Sequence, residues 1–202
     1  IAINFGVHMI MLPMWKTVAE VRNFISAVGG RAEVVLLLET KEAVTCLAEV
    51  LKLKGIDRIH IGLNDLHLSY GLTFMFELLS NGIIEGLCKR IRQAGIPYGF
   101  GGLAKIGDGI IPAEKIVLEH YRLGSTAAIL SRSFCNSEKM DVDEVEQCFK
   151  QNMPKLRNFE KFAAMANNET LDENRKQLAL CVDTAVKNVL ERKNEQNAYT
   201  KA

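Results

Sequence analysis

The sequence predicts an α/β protein built on a parallel sheet. Three observations carry this reading: short apolar runs of strand length recur between Val7 and Leu130, four of the five runs are separated from the next by a segment of helical spacing, and two of them stop abruptly at a carboxylate, Glu39 and Asp65. Alternation of this kind places helices over both faces of a parallel sheet, whether the sheet stays open or closes. In either form the chemistry gathers at the carboxyl ends of the strands.

Val7 to Met14 (VHMIMLPM) reads as a buried strand closed by Pro13. Thr17 and Glu20 have capping-box spacing, and Val18, Val21, Phe24, Ile25 and Val28 share the helical face that follows, ended by Gly29-Gly30. Val34 to Glu39 is the next strand; Thr40 caps a helix faced by Ala43, Val44, Leu47, Val50 and Leu51, which ends near Gly55. Ile56 to Leu63 is the third strand, with Asp65 at its end, and a long connection leads through Tyr70-Gly71 and Phe74 to Phe76. Ile83, Ile84, Leu87 and Ile91 mark a helix stopped at Gly95 before Pro97. Tyr98 to Gly102 is a short strand running into a glycine-rich loop that extends through Gly107 and Gly109. Pro112 stands where a first helical residue would, and Ile116, Val117, His120 and Leu123 form the stripe that Gly124 caps. Ala127 to Leu130 is the fifth strand, ending at Ser131-Arg132-Ser133.

The alternation ceases after Asn136. Asp141 to about Met165 is helical, kinked at Pro154; Asn167-Asn168 breaks it, and Thr170 to Glu173 offers a capping box for a last helix lined by Leu178, Cys181, Val182, Ala185 and Val189. The division expected is residues 1–136 for the sheet domain, 137–192 for a helical extension and 193–202 for a frayed polar tail.

Charge balances closely, with 25 Lys+Arg against 24 Asp+Glu and a formal net charge of +1, so there is no global electrostatic case for nucleic acid or a membrane surface. No apolar run reaches the roughly 18 residues of a membrane span. Cys46, Cys88, Cys135, Cys148 and Cys181 are odd in number and far apart in sequence, as suits buried thiols of a reducing cytoplasm. Ile1 rather than Met opens the sequence, which reads as a processed form or a fragment of something longer.

An acid has no packing reason to end two apolar runs, so Glu39 and Asp65 are read as sharing one site that holds a divalent metal. Both are hard oxygen donors, which favours magnesium or manganese over zinc, for which there is no Cys/His cluster. The competing reading is that Glu39 caps a helix or pairs with a lysine. His60 alternates with Asp65 and is expected to turn away toward the helices as a core histidine. The Met9, Met11, Met14 alternation reads as core packing. Gly99, Gly101 and Gly102 either let the backbone approach an anion or serve a tight turn, and Arg132 either meets a substrate carboxylate or phosphate or makes a structural ion pair.

The pattern L-E-T-x-E-A at Leu38 to Ala43, followed by Gly55-Ile56-Asp57 and by G-x-x-D-L at Gly62 to Leu66, resembles the HpcH/HpaI aldolase and citrate lyase β-subunit family. Met11 to Met14 (MLPM) and Arg122 to Ser125 (RLGS) agree in order, and the likeness runs from about Val7 to Phe134. It implies a TIM-type (β/α)8 barrel of which this chain holds the fourth to eighth strands, with the metal of Glu39 and Asp65 at the mouth. The family's histidine base and substrate-binding arginine lie in the three strands that have no counterpart here. The Asn64 and Asp65 backbone N–H groups would receive the substrate carboxylate. The family commonly has G-P-x-D-L-S where Gly62-Leu63-Asn64-Asp65-Leu66-His67 stand here, so Asn64 and His67 put the usual substrate in doubt. His67 would either support the site and carry a proton or be a solvated loop residue.

The function implied is that of a metal-dependent aldolase-type lyase acting on a 2-oxo acid, in a cytoplasmic homo-oligomer. The alternatives are citrate-lyase-like cleavage of a CoA thioester and a non-catalytic barrel remnant. The open edge of a partial barrel calls for N-terminal residues or a partner chain to cover it.

Overall fold

The computed structural model describes residues 2–199, with side chains from residue 3 to residue 192. Five strands, β1 (Met9–Leu12), β2 (Glu33–Leu38), β3 (Arg58–Ile61), β4 (Tyr98–Leu103) and β5 (Ala127–Leu130), form one sheet in the order of the sequence. Every neighbouring pair is parallel. That order has no reversal point. With crossovers of one hand, a sheet that adds each new strand on the same side receives all its helices on one face and curls into a barrel wall.

Register identifies the faces. Leu36 stands beside Ile59, Leu38 beside Ile61, and Ile61 beside Phe100, and all of these are at most 1% exposed. They share a core with Val21 and Val28 of α1 (Val18–Val28), Leu47 and Val50 of α2 (Lys41–Val50), Ile84 and Ile91 of α5 (Ile83–Gln93) and Ile116 of α6 (Ala113–Leu123). The opposite, concave face carries Met9, Met11, Val35, Leu37, His60, Gly99, Ala127 and Ile129. The expectation of helices over both faces is therefore corrected to one face. Met9 and Met11 are 44% and 37% exposed and Met14 54%, so the methionine alternation is not core packing in this chain.

Local signals explain most boundaries. At α1 the Thr17 hydroxyl accepts the Glu20 N–H at 3.2 Å while the Glu20 carboxylate accepts the Thr17 N–H at 2.9 Å, and Gly29 ends the helix in the left-handed conformation. Asp141 and Glu144 make the same box at the start of α7 (Val142–Ala164), which continues through Pro154 as one helix. Pro112 is the cap of α6 rather than its first residue. The long connection after β3 contains two short helices absent from the sequence reading, α3 (Leu63–Ser69) and α4 (Glu77–Ser80), and a 3-10 turn spans Ala2–Phe5. The last helix, α8 (Asn168–Tyr199), is started by Asn167, whose side chain accepts the Thr170 N–H at 2.8 Å, and not by a box at Thr170. It runs through most of the segment expected to be a frayed tail; residues 200–202 lie outside the described residues.

Helices α7 and α8 pack back on α6, and α8 also on α4. Buried Glu119 holds Arg122 at 2.9 Å, Arg122 reaches Glu85 on α5 at 3.2 Å, and Asn174 of α8 donates to the Lys115 carbonyl at 3.0 Å. A charge as buried as Glu119 is tolerable only when paired in this way. Arg122 of the RLGS tract is thus a fastening residue between helices.

Candidate metal site at the strand ends

Glu39 leaves the carboxyl end of β2 and is only 4% exposed. Its Oε1 accepts the Met14 backbone N–H at 2.8 Å, across from the exit of β1. Met14 presents that N–H from φ +53°, an uncommon left-handed conformation for a residue other than glycine. On the other side lies Gly62, where a Cβ would stand 2.9 Å from Glu39 Oε2 and 3.0 Å from Glu39 Cβ. Gly62 has φ −80°, so the glycine is required for space and not for conformation. Thr40 caps α2 by accepting the Ala43 N–H at 3.1 Å and donates to the Trp15 carbonyl at 2.8 Å, so capping is not the task of Glu39.

Asp65 is exposed in the first turn of α3, one strand over, and is near enough for its carboxyl to act on the ionisation of Glu39. Burial above all, and then Asp65, raises the Glu39 pKa above the usual carboxylate value; the Met14 N–H opposes the shift. Two adjoining carboxyls, one of them buried, repel when both are ionised, and a divalent cation relieves both costs at once. Among the described residues no group of three or more His, Cys, Asp and Glu side chains is placed to hold a metal. The donor set offered by the chain is therefore two carboxylates. That fits magnesium or manganese, which keep several waters or substrate oxygens in their shell, and does not fit structural zinc.

Asn64 precedes Asp65 and is exposed at the start of the same helix, whose cap, Gly62, supplies no side-chain bond to the first N–H groups. His67 is buried, with Nδ1 3.3 Å from the Leu63 carbonyl one turn back, so it is neither solvated nor in a loop. His60 lies on the concave face and not toward the helices; burial lowers its pKa, and its Nε2 is 3.1 Å from the Gly101 carbonyl. The parity argument for His60 fails because Asp65 belongs to α3 and does not continue the alternation of β3.

Gly101 has φ +62°, and a Cβ there would meet Leu63 Cδ1 at 2.8 Å; at Gly102 it would meet Ser131 Cβ at 3.1 Å. Both glycines are thus used by close packing at the end of β4. Arg132 is exposed in the turn after β5, two strands beyond Asp65. The structure joins Glu39, Asp65 and Asn64 and leaves Arg132 at the far edge. Sequence reasoning missed Met14 and Gly62. A glycine immediately after a strand and beside an acid-ended neighbour was the available signal for Gly62; nothing in the sequence marks the Met14 N–H.

No protein-family model and no curated protein matches the sequence. Solved structures do match. The crystal structure of RipC from Yersinia pestis superposes with a TM-score of 0.52 at 14% identity, covering 74% of this chain and 66% of RipC. A citrate lyase from Burkholderia xenovorans LB400 superposes with a TM-score of 0.52 at 14% identity, covering 93% of this chain and 55% of that one. This chain shares their fold. It spans roughly three fifths of the length of these structures. CitE from Mycobacterium tuberculosis in complex with magnesium and acetate matches at a TM-score of 0.48, 16% identity, 85% of this chain and 63% of that one, too loose a superposition to carry an argument about this site. No helix among the described residues is long and apolar enough to cross a membrane.

Proposed function

We propose that this chain carries the metal end of a carbon–carbon lyase of the aldolase and citrate lyase type, acting on a 2-oxo acid in the cytoplasm, with Glu39 and Asp65 as ligands of magnesium or manganese. The observation that supports the reading most is the approach of two carboxyls, Glu39 just past β2 and Asp65 in the first turn of α3 after β3, with Gly62 keeping the space beside Glu39 clear. A bound cation supplies Lewis acidity toward the negative charge that develops on a 2-oxo oxygen as the neighbouring carbon–carbon bond breaks or forms. Glu39, fixed by the Met14 N–H, presents one carboxylate oxygen in a set orientation. The N–H groups of Asn64 and Asp65, at the uncapped start of α3, accommodate a substrate carboxylate, and Arg132, Gly101 and Gly102 belong to the outer wall of the same mouth.

A second reading is favoured by the exposed concave face and the two sheet edges, β1 and β5: the lyase acts only once further strands, from a longer chain or from a partner in a homo-oligomer, cover that face and supply the base and arginine. Manganese titration followed by electron paramagnetic resonance tests the shared core of both. One ion per chain is expected, with at least a tenfold loss in Glu39→Gln and in Asp65→Asn; equal binding by the double variant sinks the assignment. A screen for pyruvate release from 4-hydroxy-2-oxo acids, run beside one for cleavage of CoA thioesters, then separates aldolase from citrate-lyase-like activity.

A further inference from the structure

Cys135 and Cys148, well separated in sequence, are brought together in the structure. Cys135 lies in the turn after β5, and Cys148 is in the second turn of α7. The turn is fixed from both sides. The N–H groups of Phe134 and Cys135 both donate to the Ser131 carbonyl, at 2.8 and 3.2 Å, and the fully buried Phe134 ring packs on Phe149 of α7 with centroids 5.6 Å apart. The Cys148 thiol donates to the Phe134 carbonyl at 3.1 Å, which is the carbonyl of the peptide bond leading into Cys135. The Cys135 thiol lies 3.9 Å from the Met140 thioether and is close enough to Cys148 for that thiol to disfavour its ionisation. Of the two, Cys148 is buried and Cys135 half-buried, so only one of the pair meets solvent readily.

We infer that Cys135 and Cys148 form a reversible disulfide site, which ties the turn carrying Ser131, Arg132 and Ser133 to helix α7. Disulfides require Cα atoms closer than about 7 Å with converging Cβ vectors, and the Cys148 sulfur already lies 3.1 Å from the carbonyl of the peptide bond that leads into Cys135, within side-chain reach of its partner. The oxidant is a small-molecule disulfide. The Cys135 thiolate attacks one of its sulfurs, the small disulfide bond breaks, and one small thiolate leaves. Cys148 then loses its proton and attacks Cys135 Sγ, the mixed disulfide breaks, and the second small thiolate leaves. Two S–H bonds are lost from the protein, one S–S bond forms, and the small disulfide is reduced to two thiols. Burial and the neighbouring Cys148 thiol raise the Cys135 pKa and the Lys105 charge offsets this only in part, so the attacking thiolate is the minor form and oxidation speeds up with pH.

The test uses the full chain exposed to oxidised glutathione, followed by intact mass, alkylation and peptide mapping. The expected result is loss of two hydrogens, a Cys135–Cys148 linked peptide, a melting temperature raised by several degrees and return to the starting mass with reductant. Cys148→Ser is expected to stop at a glutathione adduct on Cys135, and Cys148→Ala gives the same readout should the serine perturb α7. A stable glutathione adduct on Cys135 in the unaltered chain, a link from either residue to Cys46, Cys88 or Cys181, or no change in mass each overturns the inference.

Discussion

The two faces of the sheet obey different rules. On the convex face Leu36, Leu38, Ile59, Ile61 and Phe100 are at most 1% exposed and meet four helices. On the concave face Met9, Met11 and Ile129, on the edge strands β1 and β5, remain 37–47% exposed, while Val35 and His60 between them are buried. The convex face is therefore where this chain obtains its stability. The rim of the concave face is where polar chemistry gathers, with Glu39 buried just past β2 and Asp65 exposed in the first turn of α3. A parallel sheet is normally covered on both sides, so a bare face marks a surface made to be covered.

Substitutions can break this contrast. The largest effect is expected for Phe100→Ala, which removes a fully buried ring stacked on His120 at 3.8 Å between centroids; a loss of about 3–5 kcal/mol in urea unfolding is expected. Next comes acid. Burial pushes the His120 pKa down to about 3, so between roughly pH 6.5 and that value the unfolded chain binds a proton that the folded chain refuses. Stability should fall with decreasing pH through this window by about 1.4 kcal/mol per unit, and His120→Gln should flatten the profile measured by urea unfolding across pH. Gly62→Ala is expected to weaken manganese binding at least tenfold and to lower the melting temperature, since the new Cβ overlaps the buried Glu39 side chain although the backbone there is ordinary. Thr17→Ala should cost about 1 kcal/mol through the lost cap. Met11→Lys on the bare face should change stability by less than about 0.5 kcal/mol while reducing binding of a hydrophobic dye. A destabilisation comparable to that of Phe100→Ala would show that the concave face is packed after all.

Much of this was legible in the sequence for identifiable reasons. The helices whose ends carry side-chain caps or glycine stops, at Thr17, Gly29, Thr40, Gly124 and Asp141, read correctly because those signals act locally. Helices α3 and α4 did not, since Gly62 and Phe76 give their starts no side-chain cap and each is only a turn or two long. That omission left Asp65 at a strand end instead of in a helix and reversed the side assigned to His60. Coverage of one face and not two was illegible locally, because strand order is a property of the whole sheet and both arrangements share one hydrophobic pattern. The Glu39–Asp65 pairing was suggested by strand-end position; the Met14 donor depends on a backbone conformation that no side chain announces.

That Met14 conformation ties the site to an edge of the sheet. β1 is an edge strand of four residues, held by a neighbour on one side only, and the peptide that steadies Glu39 lies just past its end in a left-handed twist that costs about 1 kcal/mol. Whenever β1 frays, Glu39 loses this donor and its affinity for a proton rises further. Whatever clamps β1, whether an ion on Glu39 or a chain laid along the edge, does so against the same local opening, and the two should cooperate. The exchange rate of the Met14 amide hydrogen is the natural gauge of that cooperation, slowing as either occupant arrives.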